Sequence, residues 1–180
     1  MSHRCFLALR APVIEDYIEI LKDLKQYGKV NIVDPLLYHF TLHFFGNISK
    51  NEISALEEKL KISGVPFEIT LADTGAIPNL RKPRVLYISI SDGRKELESI
   101  HQQINVQLED LLGYQIKKKL LPHLTVARVK RSDTPEAIGK IWNEAIPKHQ
   151  TFTVKEVVLI ESILTPNGPV YMNLFTFSLK

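Results

Sequence analysis

Apolar and polar residues alternate along several short stretches of the chain, most clearly in HFTLHFFG at residues 39–46. In a β-strand, successive side chains point to opposite faces, so one face would carry His39, Thr41 and His43. The other face would be apolar. An edge strand that turns its polar side to water would show the same alternation, so this stretch has two interpretations.

A second stretch, PHLTVARV at residues 122–129, repeats the spacing with His123 and Thr125. We call each histidine-x-threonine set an HxT motif. Both motifs lie in alternating apolar runs, which predicts two strands of similar design. A matched pair of polar strand faces indicates the walls of a shared cleft more strongly than two unrelated edge strands.

The elements around the two motifs follow the same order. The first half reads as the strand RCFLALR, a helix opening near Pro12 and stopping at Gly28, the HxT strand, a helix with the capping box Ser49/Glu52, and the strand VPFEITLAD. The second half reads as the strand VLYISIS, a helix at 97–112 stopped by Gly113, the second HxT strand, a helix opened by Thr134 and Pro135, and the strand TFTVKEVVLI.

The spacing of equivalent residues supports an internal duplication. The step from His39 to His123 is 84 residues, as is the step from Glu52 to Glu136. We therefore predict an α+β fold: one bilobal domain over 1–180, with two lobes of antiparallel sheet related by an approximate two-fold axis, helices on the outer faces and a central cleft. The predicted lobes are 1–84 and 85–161, followed by a hairpin at 162–180.

Strand parity predicts further residues on the cleft side. Arg4 and Phe6 alternate with the apolar residues of the first strand, and Tyr87 does so in the equivalent strand. One of these two rings could stack on a base or ribose, or both could be partly buried under loops. Arg128 points away from His123 by parity unless the strand ends or bulges there, so it is a secondary candidate.

Composition and charge limit the partners. The single Cys5 cannot form an internal disulfide, and no transmembrane or signal segment is evident, so we expect a cytoplasmic protein that does not bind membranes. We also expect a monomer. The formal net charge is +3. The positive residues are clustered in three runs, which modestly favour a polyanionic ligand: Arg81, Lys82 and Arg84; Lys117 to Lys119; and Arg128, Lys130 and Arg131.

Two imidazoles across a cleft can act as acid and base near neutral pH, and the threonine hydroxyls can hold an anion. In-line displacement at a phosphodiester has this geometry. A metal site built on His39, His43 and His123 is the less favoured alternative, because neither HxT strand carries a carboxylate. His43 shares the predicted face of His39, where we expect it at the rim or behind the reacting groups.

The motifs HFTLHFFG and HLTVAR, with the opening RCFLAL, the segment RKPRVLYISI and the closing ESILTPNGPVY, resemble the 2H phosphoesterase superfamily. The most similar branch is the RNA 2′,3′-cyclic phosphodiesterases, historically called 2′-5′ RNA ligases. The resemblance covers essentially the whole chain.

The resemblance implies hydrolysis of a terminal 2′,3′-cyclic phosphate to a 2′-phosphate without cofactor or metal, and reversible 2′-5′ ligation as a side activity. It implies that His39 donates a proton to the departing 3′ oxygen, His123 activates water, and Thr41 and Thr125 hold the nonbridging oxygens. The substrate-binding candidates are Arg128, Phe6, Tyr87, Arg84, Arg4 and His43.

The expected partner is RNA with a 2′,3′-cyclic phosphate end, with tRNA-like fragments as one candidate. Two alternatives stay open: an RNA-end-binding module without turnover, and a 2H phosphodiesterase that acts on a small cyclic or 2′-5′ linked nucleotide.

Overall fold

The computed structural model describes residues 2–113, 119–145, 149–166 and 168–180. Lys117 and Lys118 of the second basic run lie outside these ranges. The strands are β1 (Ser2–Arg10), β2 (Lys29–Ile32), β3 (His39–Ser49), β4 (Phe67–Ile77), β5 (Val85–Asp92), β6 (Leu124–Arg131), β7 (Thr151–Val154), β8 (Glu156–Thr165) and β9 (Gly168–Ser178). The helices are α1 (Ile18–Asp23), α2 (Lys50–Lys59), α3 (Arg94–Leu112) and α4 (Pro135–Asn143).

The strands form one antiparallel sheet in the order β7-β4-β5-β6-β3-β1-β8-β9, and β2 also pairs with β6. The two HxT strands, β3 and β6, are neighbours at the centre. The sheet therefore has a first half of β3, β1, β8 and β9 and a second half of β6, β5, β4 and β7. This curled antiparallel sheet with its helices confirms the predicted α+β class.

The halves of the sheet do not follow the predicted division of the chain at residue 84. Strand β4 comes from the first repeat but pairs with β5, and β8 comes from the second repeat but pairs with β1. A short connection joins β4 to β5, and consecutive strands with short connections usually pair. Each half therefore contains strands from both repeats, and the predicted lobes exchange their last strands.

One face of the sheet carries the main core. Leu7 and Leu9 of β1, Phe40 of β3 and Leu124 of β6 are buried there together with the apolar sides of the helices, such as Ile104 of α3. The opposite face carries a smaller buried cluster of Phe6, Ala8, Val158 and Ile160, against which Tyr171 packs. We call this opposite face the cleft face.

The helix boundaries follow local signals in most cases. Ser49 and Glu52 form the predicted capping box at the start of α2, and Gly113 ends α3 in the left-handed conformation with φ of 68°. Pro135 begins α4 as predicted, although the Thr134 side chain makes no capping hydrogen bond. The first helix is shorter than predicted and begins at Ile18. In the described residues, no helix is both long and apolar enough to cross a bilayer.

Candidate active site

The centre of the site is the junction of β3 and β6. Phe40 and Leu124 are antiparallel register partners, and both are buried in the main core. Alternation then turns the neighbours of Phe40 and Leu124 toward the cleft face. Continuing the register sets His39 opposite Thr125 and Thr41 opposite His123, so the two HxT motifs form one quartet.

The two imidazoles are anchored in the same way. Nδ1–H of His39 donates to the carbonyl oxygen of Leu37 at 2.7 Å, and Nδ1–H of His123 donates to that of Leu121 at 2.7 Å. A carbonyl oxygen can only accept, so Nδ1 carries the proton in both rings. Each ring keeps Nε2 available for chemistry.

The surroundings of His39 disfavour its charged form. Burial lowers the pKa of His39 most, and the neighbouring Arg10, Arg128 and His123 lower it further, while the hydrogen bond to the Leu37 carbonyl raises it. The free protein therefore holds His39 as a neutral imidazole at neutral pH. The guanidinium groups of Arg10 and Arg128 make this part of the cleft face attractive to an anion.

Arg128 reaches the site because β6 bulges. Leu86 pairs with Ala127 and Tyr87 pairs with Thr125, which leaves Val126 as an extra residue. Val126 and Ala127 both enter the core, so Arg128 returns to the face of Thr125. The charge of Arg128 acts on both His39 and Tyr171. A bulge thus removes the difficulty that strict alternation raised for this residue.

An equivalent bulge in β3 moves His43 away from the cleft. Leu7 pairs with His43 and Ala8 pairs with Thr41, so Leu42 is the extra residue. His43 consequently lies on the core face, where the charge of His101 on α3 acts on it. Burial is the main cause that lowers the pKa of His43 to about 4, and His101 adds to it. The prediction of His43 as a substrate-binding residue on the face of His39 is wrong.

The loss of His43 from this face also separates the three histidines of the metal alternative. Among the described residues, no group of three or more histidine, cysteine, aspartate or glutamate side chains is arranged to hold a metal ion. The quartet presents imidazoles and hydroxyls instead.

Both predicted aromatic residues lie beside a histidine. The ring centroid of Phe6 is 4.9 Å from that of His39, and the ring centroid of Tyr87 is 5.5 Å from that of His123. Phe6 is only 4% exposed, so it supports His39 from below. The Tyr87 ring lies over Gly75, where an added Cβ would be 2.4 Å from Tyr87 Cζ, so a larger residue at position 75 would have to displace the ring.

Arg4 and Arg84 lie at different parts of the site. The Cζ atom of Arg4 is 4.7 Å from the ring centroid of Phe44. The backbone of Arg84 is fixed beside β6, since its carbonyl accepts from Val129 N–H at 3.0 Å. Neither guanidinium takes part in an ion pair within the ranges that the structure describes.

Two further cleft residues were missed by the sequence reasoning. Arg10 is the register partner of His39, and its guanidinium donates to the side-chain oxygen of Asn173. The ring centroid of Tyr171 is 5.5 Å from that of His39. The alternation of Arg4 and Phe6 along β1 could have indicated Arg10. No local signal indicated Tyr171, because β9 reaches the site through its pairing with β8.

A curled antiparallel sheet with paired HxT motifs at its centre defines a 2H phosphoesterase. A model of the 2′-5′ RNA ligase superfamily matches residues 18–164, and the chain belongs to that family.

Individual relatives agree with this assignment. The chain is 34% identical over 159 residues to a protein of Archaeoglobus fulgidus named RNA 2′,3′-cyclic phosphodiesterase, covering 88% of this chain and 89% of the relative. A protein of the same name from Methanothermobacter thermautotrophicus is 30% identical over 189 residues, covering 99% and 100%. A crystal structure of a Thermus thermophilus protein is similar with a TM-score of 0.77 and 26% identity, covering 97% of both chains.

Proposed function

We propose that this protein hydrolyses the terminal 2′,3′-cyclic phosphate of RNA to a 2′-phosphomonoester. The observation that carries the proposal is the pair of equivalently anchored imidazoles, His39 and His123, joined by two threonines at one strand junction. The name RNA 2′,3′-cyclic phosphodiesterase, given to relatives across nearly the whole chain, supports the same reaction.

The proposed reaction needs one base and one acid. Nε2 of His123 accepts a proton from water as the water oxygen forms a bond to phosphorus. The bond from phosphorus to O3′ breaks, and Nε2–H of His39 gives its proton to O3′. The product keeps its phosphate on O2′. This order of roles follows the family resemblance, since the two histidines are anchored alike.

Negative charge on the transferring phosphoryl group needs donors that are already in place. Thr41 and Thr125 supply hydroxyls on the same face as the histidines, and each threonine lies opposite the histidine of the other motif. Arg128 adds a guanidinium whose charge already reaches His39. These groups would hold the nonbridging oxygens without a metal or cofactor.

Substrate binding would prepare His39 for its role as acid. Burial and nearby cations lower the pKa of His39 in the free protein. A bound phosphodiester brings a negative charge to the ring, and an opposite charge favours the imidazolium. His39 would therefore gain its proton as the substrate binds.

A longer RNA is the preferred substrate in this proposal. Arg81, Lys82 and Arg84 precede β5, and Lys130 and Arg131 end β6, so both runs adjoin the second half of the sheet. All five side chains are exposed and none is ion-paired in the described part of the chain. They would bind phosphates upstream of the cyclic end.

Reversible 2′-5′ ligation is proposed as a side activity, and tRNA-like fragments are one candidate substrate.

The proposed setting is a monomer in the cytoplasm. Cys5 is a buried free cysteine, and burial, followed by the charge of Glu161, raises the pKa of its thiol to about 11. A thiol held protonated in this way is unreactive. Its state is compatible with a reducing compartment.

The test is a single turnover assay with an oligonucleotide that ends in a 2′,3′-cyclic phosphate, with chelator present. The expected product ends in a 2′-phosphate, which a 3′-specific phosphatase leaves intact. A 3′-phosphate product would contradict the assigned leaving oxygen. Tight binding without turnover would indicate an RNA-end-binding module, and turnover of cyclic or 2′-5′ linked dinucleotides with no oligonucleotide activity would indicate a small-nucleotide enzyme.

A further inference from the structure

Phe44 is an exposed aromatic side chain on the cleft face. The bulge at Leu42 inverts the alternation of β3, so His43 takes the core side and Phe44 the cleft side, opposite the sequence pattern. Phe44 is 49% exposed. Its register partner is Phe6, whose ring packs under His39. A large apolar ring is thus presented to solvent next to the quartet.

Arg4 holds this ring in a defined environment. The Arg4 guanidinium carbon lies 4.7 Å from the centroid of the Phe44 ring, within the range of a cation–π contact. In the described residues, Arg4 has no carboxylate partner. We call this pair the Arg4–Phe44 platform. A flat ring beside an unpaired guanidinium is the surface on which nucleic-acid bases stack.

The platform lies at a suitable distance from the proposed chemistry. Ala8 pairs with Thr41 and Phe6 pairs with Phe44, so two residues of β1 separate these positions, or about 7 Å along the strand. That separation is comparable to the distance from the phosphate to the base within one nucleotide. Phe6 is too buried to offer a free ring face.

The platform also breaks the symmetry of the site. Phe44 and Arg128 each lie three residues after the threonine of their motif, and each is returned to the cleft face by a bulge. One half of the sheet thus presents an aromatic ring where the other presents a guanidinium. Two similar HxT motifs alone would accept a cyclic phosphate in either orientation.

We propose that the Arg4–Phe44 platform stacks on the base of the nucleotide that carries the cyclic phosphate and so sets the orientation of the substrate between the two histidines. This inference rests on the proposed function and deepens it by naming the base subsite. The stacking face is sequence-tolerant, because every base has a π-face.

The experiment compares 2′,3′-cyclic AMP with base-free ribose 2′,3′-cyclic phosphate as substrates. Phe44→Leu keeps apolar bulk but removes the ring, and Phe44→Tyr keeps the ring. The ratio of kcat/KM for the nucleotide over the base-free compound should fall at least about fivefold in Phe44→Leu, the lower end of what one stacked base contributes. Phe44→Tyr should keep the wild-type ratio. Val106→Ala, which trims an exposed apolar residue of α3, should leave it unchanged.

Binding of adenosine 2′-phosphate, measured by calorimetry, gives a readout without turnover. Phe44→Leu should weaken it at least about fivefold, and Arg4→Met should weaken it as well. If neither the wild type nor any variant turns over substrate, but the binding of adenosine 2′-phosphate still depends on Phe44, the proposed function fails and the platform stands. An unchanged substrate ratio together with unchanged binding in Phe44→Leu would overturn the platform.

Discussion

Phe40 of β3 and Leu124 of β6 are register partners at the junction of the two halves of the sheet. Each is the middle residue of an HxT motif, so this single pairing sets the relative positions of both histidines and both threonines. Phe40 and Leu124 are fully buried on the core face. Their packing fixes the positions of the polar quartet on the opposite, cleft face.

Replacement of either quartet histidine should abolish most of the activity. His39→Ala and His123→Ala are each expected to lower hydrolysis by at least about a hundredfold, since each removes one proton-transfer group. The double variant should be little worse than either single variant, because the two groups act together. Circular dichroism and kinetics check this, with the exposed His149→Ala as control. Near wild-type turnover in either single variant would reject the two-histidine mechanism.

The pH profile should report the effect of substrate on His39. The basic limb of kcat should lie at higher pH than the basic limb of kcat/KM, because the bound phosphodiester raises the lowered pKa of His39. Kinetics with 2′,3′-cyclic AMP give both limbs.

Arg128→Gln is the companion variant for that measurement. The charge of Arg128 lowers the pKa of His39, so its removal should raise that pKa and move the basic limb of kcat/KM upward. A limb that does not respond would show that another group donates the proton.

Chelation should leave the activity intact. The transition state would be held by Thr41, Thr125 and the cationic side chains, so no metal ion is needed. Assays in EDTA, with zinc or manganese added back, test this directly. Activity that is lost in EDTA and restored by either ion would require a metal-dependent mechanism.

The stability of the fold should decrease as the pH falls, because His43 becomes protonated. Its pKa is about 4 in the folded protein against an ordinary histidine value of 6.5, so the unfolded chain binds the proton more readily. The stabilising contribution of neutral His43 is complete above the pKa that this residue has in the unfolded chain. It is lost as the pH falls from 6.5 toward about 4. With allowance for partial solvent screening, we expect a loss of about 1 kcal/mol between about pH 7.5 and about pH 5.

Urea denaturation of the wild type and His43→Phe measures this effect. His101 of α3 has a pKa lowered mainly by burial and remains in both proteins, so only the His43 component should disappear. Equal pH dependence in the two proteins would show that His43 is not a buried neutral group.

Neutralising the basic run before β5 should affect long substrates only. Arg81→Ser with Lys82→Ser is expected to raise KM for a long oligonucleotide and to reduce its salt slope by about 1, with kcat retained. A cyclic mononucleotide lacks the upstream phosphates and should respond little. As a control, the double variant Lys59→Ser with Lys95→Ser removes the same number of positive charges from helices α2 and α3. Equal weakening of both substrates would place the run in the catalytic centre or in folding.

The sequence determined the elements that depend on local patterns. Alternation identified β1, β3, β5 and β6, and capping signals identified the start of α2 and the end of α3. The repeated HxT spacing identified the quartet, because alternation on each side of Phe40 and Leu124 holds over the three residues of each motif. These features need only the period of a strand or the chemistry of a helix end.

Tertiary structure decided what lies beyond those short windows. The bulges at Leu42 and Val126 brought Arg128 and Phe44 to the cleft face and sent His43 to the core. A bulge arises where two paired strands need different numbers of residues, so it depends on the partner strand and is invisible in the alternation of one strand. Tyr171 reaches His39 for a related reason: its strand is placed by pairing with β8, across the sheet from the motif it contacts.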